Sequence, residues 1–249
     1  MRYVGLDAGS TTTKGVLCTV TGIQTKYLVP TAGDPKQAMQ RVLNQLGTYD
    51  YLITTGYGRK LIPADLVITE ITCHGRGAEY LHPGITDVID IGGQDCKTIH
   101  LNGKGNVLDF NMNDRCAAGT GRFVEVMMKT LGEKIDVLDD FVIAATPVKI
   151  NSMCTVFAES EVVTLVAKGA SRHDIALGVL ESIAKRINGQ YSKLQAKKGQ
   201  PILFTGGLSQ STAFAKVLSD TVEAPIYHHA LGQYAGAIGA AQIGMKKLS

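Results

Sequence analysis

Asp7-Ala8-Gly9-Ser10-Thr11-Thr12-Thr13-Lys14 decides the reading of this chain, because Asp90-Ile91-Gly92-Gly93-Gln94-Asp95-Cys96-Lys97 repeats its spacing. In both stretches a β-rich run leads into an aspartate, a glycine follows two positions on, and a lysine seven positions on. A turn of this kind, met once, is a common hairpin connector. Two in register point to a duplicated unit, each half ending a strand in a tight turn that presents a carboxylate and bare backbone. Backbone N–H groups in such a turn make a concavity for anions. The hydroxyls of Thr11, Thr12 and Thr13 add donors, and Asp7 and Asp90 supply the hard oxygen ligands that a hydrated Mg²⁺ takes. No GxxxxGK[ST] loop occurs, and no GxGxxG opens a helix, so the P-loop and dinucleotide folds are disfavoured. A third turn, Thr205-Gly206-Gly207-Leu208-Ser209, strengthens the reading of a nucleotide site.

Composition narrows the class. A chain of 249 residues with 45% apolar residues and 28 glycines suits a globular α/β protein of one domain or two lobes. The net charge of +3 is spread along the chain without a basic block, which argues against nucleic acid as a partner. No apolar run reaches the roughly 18 residues of a membrane span, and the start at Tyr3-Val4-Gly5-Leu6 lacks the layout of a secretion signal. A cytoplasmic location is expected. The five cysteines are odd in number, widely spaced and free of CxxC, which disfavours a disulfide framework or a zinc knuckle.

Periodicity supplies a coarse element map. Strands are expected at 3–7, 15–20, 51–55, 87–91, 97–101 and 201–204, and helices at 37–46 and 70–80. Phe123, Met127 and Leu131 mark a further helix, Val162, Leu165 and Val166 another, and Ile175 to Ile187 a longer third. The Gly/Ala-rich tail from Gly232 to Met245 suits a helix packed close against a sheet.

With the three turns in place, the chain resembles ATPases of the actin, sugar-kinase and heat-shock-chaperone superfamily. The resemblance implies an α/β fold of two RNase-H-like lobes with a nucleotide cleft between them. It implies lobe I at 1–86 with a C-terminal helix at 232–249, and lobe II at 87–231. Gly206, Gly207 and Leu208 would then approach the adenosine.

Two cysteines have no use in a sugar kinase. Cys116 lies in Asn113-Asp114-Arg115-Cys116-Ala117-Ala118-Gly119-Thr120-Gly121-Arg122-Phe123, and Cys154 opens Cys154-Thr155-Val156-Phe157-Ala158-Glu159-Ser160-Glu161. Each precedes a predicted helix, and helix N-termini favour anions, thiolates among them. Thiolates are the ligands of iron–sulfur clusters. One chain offers two such positions, so a four-thiolate site needs two copies about a two-fold axis. The bland alternative is a pair of inert core thiols. These segments, together with Glu70-Ile71-Thr72-Cys73-His74-Gly75-Arg76-Gly77-Ala78 and the two aspartate turns, closely resemble the activators of 2-hydroxyacyl-CoA dehydratases and the ATPase subunits of benzoyl-CoA reductase. The resemblance spans essentially the whole chain.

That resemblance implies a homodimer with one 4Fe-4S cluster held by Cys116 and Cys154 of each copy. It implies ATP hydrolysis coupled to transfer of a low-potential electron to a partner iron–sulfur dehydratase or reductase. Asp7 and Asp90 would act on Mg²⁺ or its water shell, and Thr11, Thr12 and Gln94 would touch phosphates or position the attacking water. Gly9, Ser10, Thr13, Lys14, Gly92 and Gly93 complete the phosphate turns, with Lys14 and Lys97 either neutralising phosphate or lying as solvated strand residues. Glu70 would orient water, or else serve as an acid at the start of a helix. Cys18, Cys73 and His74 read as structural, and Cys96 carries no role. Two rivals remain at this level: a small-molecule kinase of the same fold without a cluster, and a nucleotide-responsive scaffold.

Overall fold

The computed structural model describes residues 1–113, 116–152, 154–197 and 199–248. The chain forms two compact units. Unit 1 is Met1–Val88, Ile99–Phe110 and His229–Ser249, and unit 2 is Ile89–Thr98 with Asn111–His228.

Unit 1 begins with β1 (Tyr3–Ala8), β2 (Thr12–Thr19) and β3 (Gly22–Pro30), which pair antiparallel in succession. Helix α1 (Pro35–Leu46) follows, then β4 (Tyr51–Thr55) parallel to β1 and the short β5 (Leu66–Val67) parallel to β4. The sheet order is β3-β2-β1-β4-β5. Alternation along β1 sends its two faces to different partners. Val4 and Leu6 join Ala38, Met39 and Val42 of α1 in one core cluster, while Tyr3 packs with Ile53 and with Ala240 of α8 (Ala235–Leu248) in another. Helix α1 starts where Asp34 accepts the Gln37 N–H and proline takes the first position, a favourable N-terminus.

The C-terminal helix α8 lies against the sheet of unit 1 and against α2 (Glu70–Leu81). Its small residues allow backbone-to-backbone approach. A methyl group on Gly239 would overlap the Cys73 carbonyl, one on Gly77 the Ala235 carbonyl, and one on Gly5 the Ala237 carbonyl. The contact at Gly5 is the close helix–sheet packing expected from the Gly/Ala-rich tail, and the other two seat α8 as closely against α2.

The second sheet contains β6 (Asp87–Ile91), β7 (Cys96–Leu101), β8 (Val107–Asn113), β9 (Ile202–Gly206) and β10 (Ile226–His228), in the order β10-β9-β6-β7-β8. Taken from the β8 edge, this repeats the connectivity of the first sheet: three successive strands side by side, then two later ones added beyond the first. Strands β9 and β10 are parallel, as β4 and β5 are. The duplication suggested by the two aspartate turns is thus present in topology, and each turn joins the first two strands of its sheet. In unit 2, Ile89, Ile91, Phe123, Ile183, Phe204 and Phe214 belong to one core formed with α3 (Gly121–Thr130), α5 (Thr155–Ala167), α6 (Arg172–Tyr191) and α7 (Thr212–Val222). A short helix, α4 (Leu138–Val142), joins α7 through Asp139, which accepts hydrogen bonds from Thr212 N at 2.7 Å and from Ser211 Oγ.

The structure adds β5, β8, β10, α4 and α7 to the expected elements, and two further differences have a clear cause. The β2 strand runs Thr12–Thr19 rather than 15–20, because Thr13 and Lys14 pair with Ala8 and Asp7 up to the edge of the turn, while Val20 stands exposed past the strand end. Strand β3 was not anticipated. It is an edge strand whose Gln24, Thr25, Lys26 and Tyr27 are exposed, so it lacks an apolar period. Among the described residues no helix is long and apolar enough to cross a membrane.

Candidate nucleotide site

The turn of unit 1 is held from behind. Asp7 is buried at the end of β1, opposite Lys14 in the ladder. Thr31, buried just after β3, donates its hydroxyl to Gly9 O at 2.7 Å and its N–H to Thr11 O at 2.9 Å. The Thr13 and Thr31 hydroxyls share a buried hydrogen bond of 3.0 Å. Thr13 therefore supports the turn from inside, whereas Thr11 is exposed and Gly9, Ser10, Thr12 and Lys14 are half-buried. Thr31 was missed in the sequence because it follows the strand that was itself missed.

A cluster of polar groups stands beside Asp7. Glu70 is the first residue of α2 and half-buried; His74, one turn on, is buried with Nε2 3.8 Å from Glu70 Oε1. Burial pushes the adjacent Cys73 thiol up to about 12, and the negative charges of Asp7 and Glu70 add to the rise.

The turn of unit 2 is organised around Asp90. Its Oδ1 accepts a hydrogen bond from Thr205 Oγ1 at 2.7 Å, and its Oδ2 lies 3.2 Å from Lys97 Nζ. Lys97 is buried and also pairs with Asp95. Its charge is thus paired with the carboxylates of the turn, and it is not the solvated strand residue that was one of its two expected readings. Gln94 at the tip is exposed, with Gly92 and Gly93 half-buried. Burial, followed by the nearby Asp90 carboxylate, pushes the Cys96 thiol far up, so it stays an inert thiol.

The third turn sits directly against the second. Gly206 has φ +89°, a conformation side chains disfavour, and a methyl there would overlap the Ile91 carbonyl. The end of β9 can reach the end of β6 only with glycine at that point. Gly207 is open, while Leu208 is buried.

Cys116 and Cys154 are the two exposed cysteines; Cys18, Cys73 and Cys96 are buried. Both exposed thiols belong to unit 2. Cys154 is the N-cap of α5, and its carbonyl accepts the Ala158 N–H at 2.8 Å. Glu161 reaches back to accept N–H groups from Asn151 at 3.0 Å and Ser152 at 2.8 Å, which fixes the approach to Cys154. Burial alone would raise the Glu161 carboxyl, but hydrogen bonds from Ser152 and Asn151 outweigh it and hold the group below its ordinary range. Asn113 Nδ2 donates to Cys116 O at 3.0 Å. Asp114, Arg115 and Met153 of the cysteine segments lie outside the described residues.

After Cys116 the chain returns to the second turn. The first N–H groups of α3, those of Gly121 and Arg122, donate to Gly92 O and Gly93 O, each at 2.9 Å. Helix N-termini carry N–H groups without an internal partner, and here carbonyls of the aspartate turn satisfy two of them. Among the described residues no three His, Cys, Asp or Glu side chains gather in a way that would hold a metal ion.

The doubled topology with its acidic glycine turns is that of the actin-like ATPases. A ROK hexokinase from Thermus thermophilus shares it across the whole of both chains at a TM-score of 0.56 and 13% identity, a likeness of fold alone. The chain belongs to the BadF/BadG/BcrA/BcrD ATPase family, whose model matches residues 4–244. It is 46% identical to the uncharacterized protein YjiL of Escherichia coli K12, over 99% of this chain and 98% of that one. It is 38% identical to the (R)-2-hydroxyglutaryl-CoA dehydratase activating ATPase of Acidaminococcus fermentans, over 98% and 97% of the two chains. The solved activator of 2-hydroxyisocaproyl-CoA dehydratase from Clostridium difficile, with bound ADPNP, superposes with a TM-score of 0.91 at 32% identity, over 99% of this chain and 95% of that one. The protein is an ATPase.

Proposed function

We propose that this ATPase is an iron–sulfur activator, which passes a low-potential electron to a partner iron–sulfur enzyme, a 2-hydroxyacyl-CoA dehydratase or a related reductase. The observation that carries the reading is the direct link in unit 2 between a nucleotide turn and a cysteine segment. The α3 N-terminus, five residues past Cys116, hangs by two hydrogen bonds on the carbonyls of Gly92 and Gly93. A phosphate that shifts this turn shifts the start of α3 with it.

In this reading ATP is held through Gly9, Ser10, Thr11, Thr12 and Lys14 of the first turn and Gly92 and Gly93 of the second, with Gly206, Gly207 and Leu208 toward the adenosine. Thr13 keeps the first turn in shape. Asp7 and Asp90 act on Mg²⁺ or its water shell. Gln94 and Glu70 orient the attacking water, so catalysis is mostly positioning and charge neutralisation.

The cysteines suit a shared cluster. Cys116 and Cys154 are the exposed soft donors, the other three thiols are buried, and one chain supplies two ligands where a four-iron cluster takes four. A homodimer in which both copies contribute these two residues completes the set. The exposure of Val156, Phe157 and Val163 on α5, next to Cys154, supports burial of that helix against a second copy. When bound, the cluster supplies one-electron chemistry at low potential.

The test is anaerobic purification followed by iron, sulfide and visible-absorption measurements, with and without ATP. About four irons per two chains, lost in Cys116→Ala and Cys154→Ala, is the expected result. A colourless protein that phosphorylates a metabolite would establish the kinase instead, and a colourless protein with neither activity a scaffold.

A further inference from the structure

We infer that His74 is a positioning residue for ATP hydrolysis: its imidazole, placed by α2 beside Asp7 and Glu70, holds the Glu70 carboxylate in the orientation needed to direct water. The inference rests on the roles proposed for Asp7 and Glu70, and it needs no cluster.

The geometry lies entirely in unit 1. Residues four apart share one face of a helix, so Glu70 at the start of α2 and His74 one turn on face the same way, with Nε2 3.8 Å from Oε1. Gly236, in the first turn of α8, connects this pair to the aspartate. A methyl on Gly236 would stand 2.8 Å from Asp7 Oδ2 and 3.1 Å from His74 Nε2, so the ring nitrogen and the carboxylate oxygen flank one small space that only a glycine leaves open. The imidazole is therefore flanked by two carboxylates, both attached to the end of the first phosphate turn or to the helix beside it.

Its placement is rigid. His74 is buried, and α2 is locked to α8 by the glycine contacts on either side of it, at Cys73–Gly239 and Gly77–Ala235. A ring fixed in this way offers Glu70 a stationary partner within 3.8 Å, and a carboxylate drawn to it samples fewer orientations than one facing water alone. A metal pair with Cys73 is the other use such a sequence invites. It is contradicted by the thiol, which burial keeps protonated, and by the lack, among the described residues, of a third ligand.

The test compares steady-state ATP hydrolysis by wild type, His74→Phe, His74→Gln and Glu70→Gln. Misplacing a catalytic group by an ångström costs on the order of 100-fold in rate, and a drop in kcat of about 10- to 100-fold is expected for His74→Phe, with KM for MgATP unchanged. His74→Gln, which restores a donor at similar reach, recovers most of the rate. His74→Phe added to Glu70→Gln produces no further loss, because both remove the same oriented carboxylate. Circular dichroism and melting identify any variant that fails to fold, and the glutamine variant then carries the comparison. Normal kcat in the phenylalanine variant overturns the inference, as does a loss confined to KM. If Glu70→Gln alone is without effect, the role of Glu70 falls and this inference with it. If Glu70→Gln slows hydrolysis while both His74 variants are normal, only the inference fails.

Discussion

Burial separates the five cysteines of this chain into two kinds. Cys18 and Cys73 are pushed by burial up to about 12, so both remain protonated and shielded at any pH used for labelling. Cys116 and Cys154 are exposed. In native, iron-free protein a thiol reagent at pH 8 should label two cysteines quickly, and peptide mapping should find them at 116 and 154; denaturation should release the remaining three. Fast labelling of Cys96 would contradict its burial behind the second turn. At this scale the sequence was partly legible. Asp7 and Asp90 announced themselves by spacing. The burial of Lys97 did not, because a lysine in a strand reads as a solvated residue until Asp90 and Asp95 are seen on either side of it. Thr31 matters through hydrogen bonds to a turn some twenty residues earlier, and no local spacing records such contacts.

Helices with a clear apolar period were legible as elements, since Ala38, Val42 and Leu46 or Phe123 and Met127 fall on one buried face. Strand β3 was not, for the opposite reason: an edge strand with four exposed residues in succession carries no burial pattern. How α3 begins was also beyond local reading, because its first N–H groups are satisfied by carbonyls some thirty residues earlier, at Gly92 and Gly93. That connection makes a specific prediction. Proline is well accommodated at the first position of a helix, and Thr120 already has the extended backbone, φ −118° and ψ 169°, that a residue before proline needs. Gly121→Pro should therefore keep α3 and remove its attachment to Gly92. Wild-type protein should label at Cys116 at different rates with ADP and with a non-hydrolysable ATP analogue. The variant should bind both nucleotides and show a smaller difference between the two rates, because the Arg122 N–H keeps its bond to Gly93 O. Equal rates already in the wild type would mean that the turn does not move α3.

At the scale of the molecule, two sheets with one strand order account for the spacing repeated at Asp7 and Asp90, and unit 1 depends on both ends of the chain. Tyr3, Val16, Cys18 and Ile53 lie in clusters completed by Ala237, Ile238 and Ala240 of α8. Gly239→Ala, which would force a methyl into the Cys73 carbonyl, should destabilise the protein by about 1–3 kcal/mol or more, read as a lower midpoint in denaturant unfolding. An unchanged midpoint would mean that α2 and α8 are not so tightly seated. The same arrangement sets an order for biosynthesis. As the ribosome delivers the chain from its N-terminus, residues 111–228 emerge before α8 does, so the second unit can close while the first still waits with one face of its sheet uncovered. Until α8 leaves the exit tunnel, the nascent protein carries that apolar face bare, and aggregation during synthesis is then its main hazard.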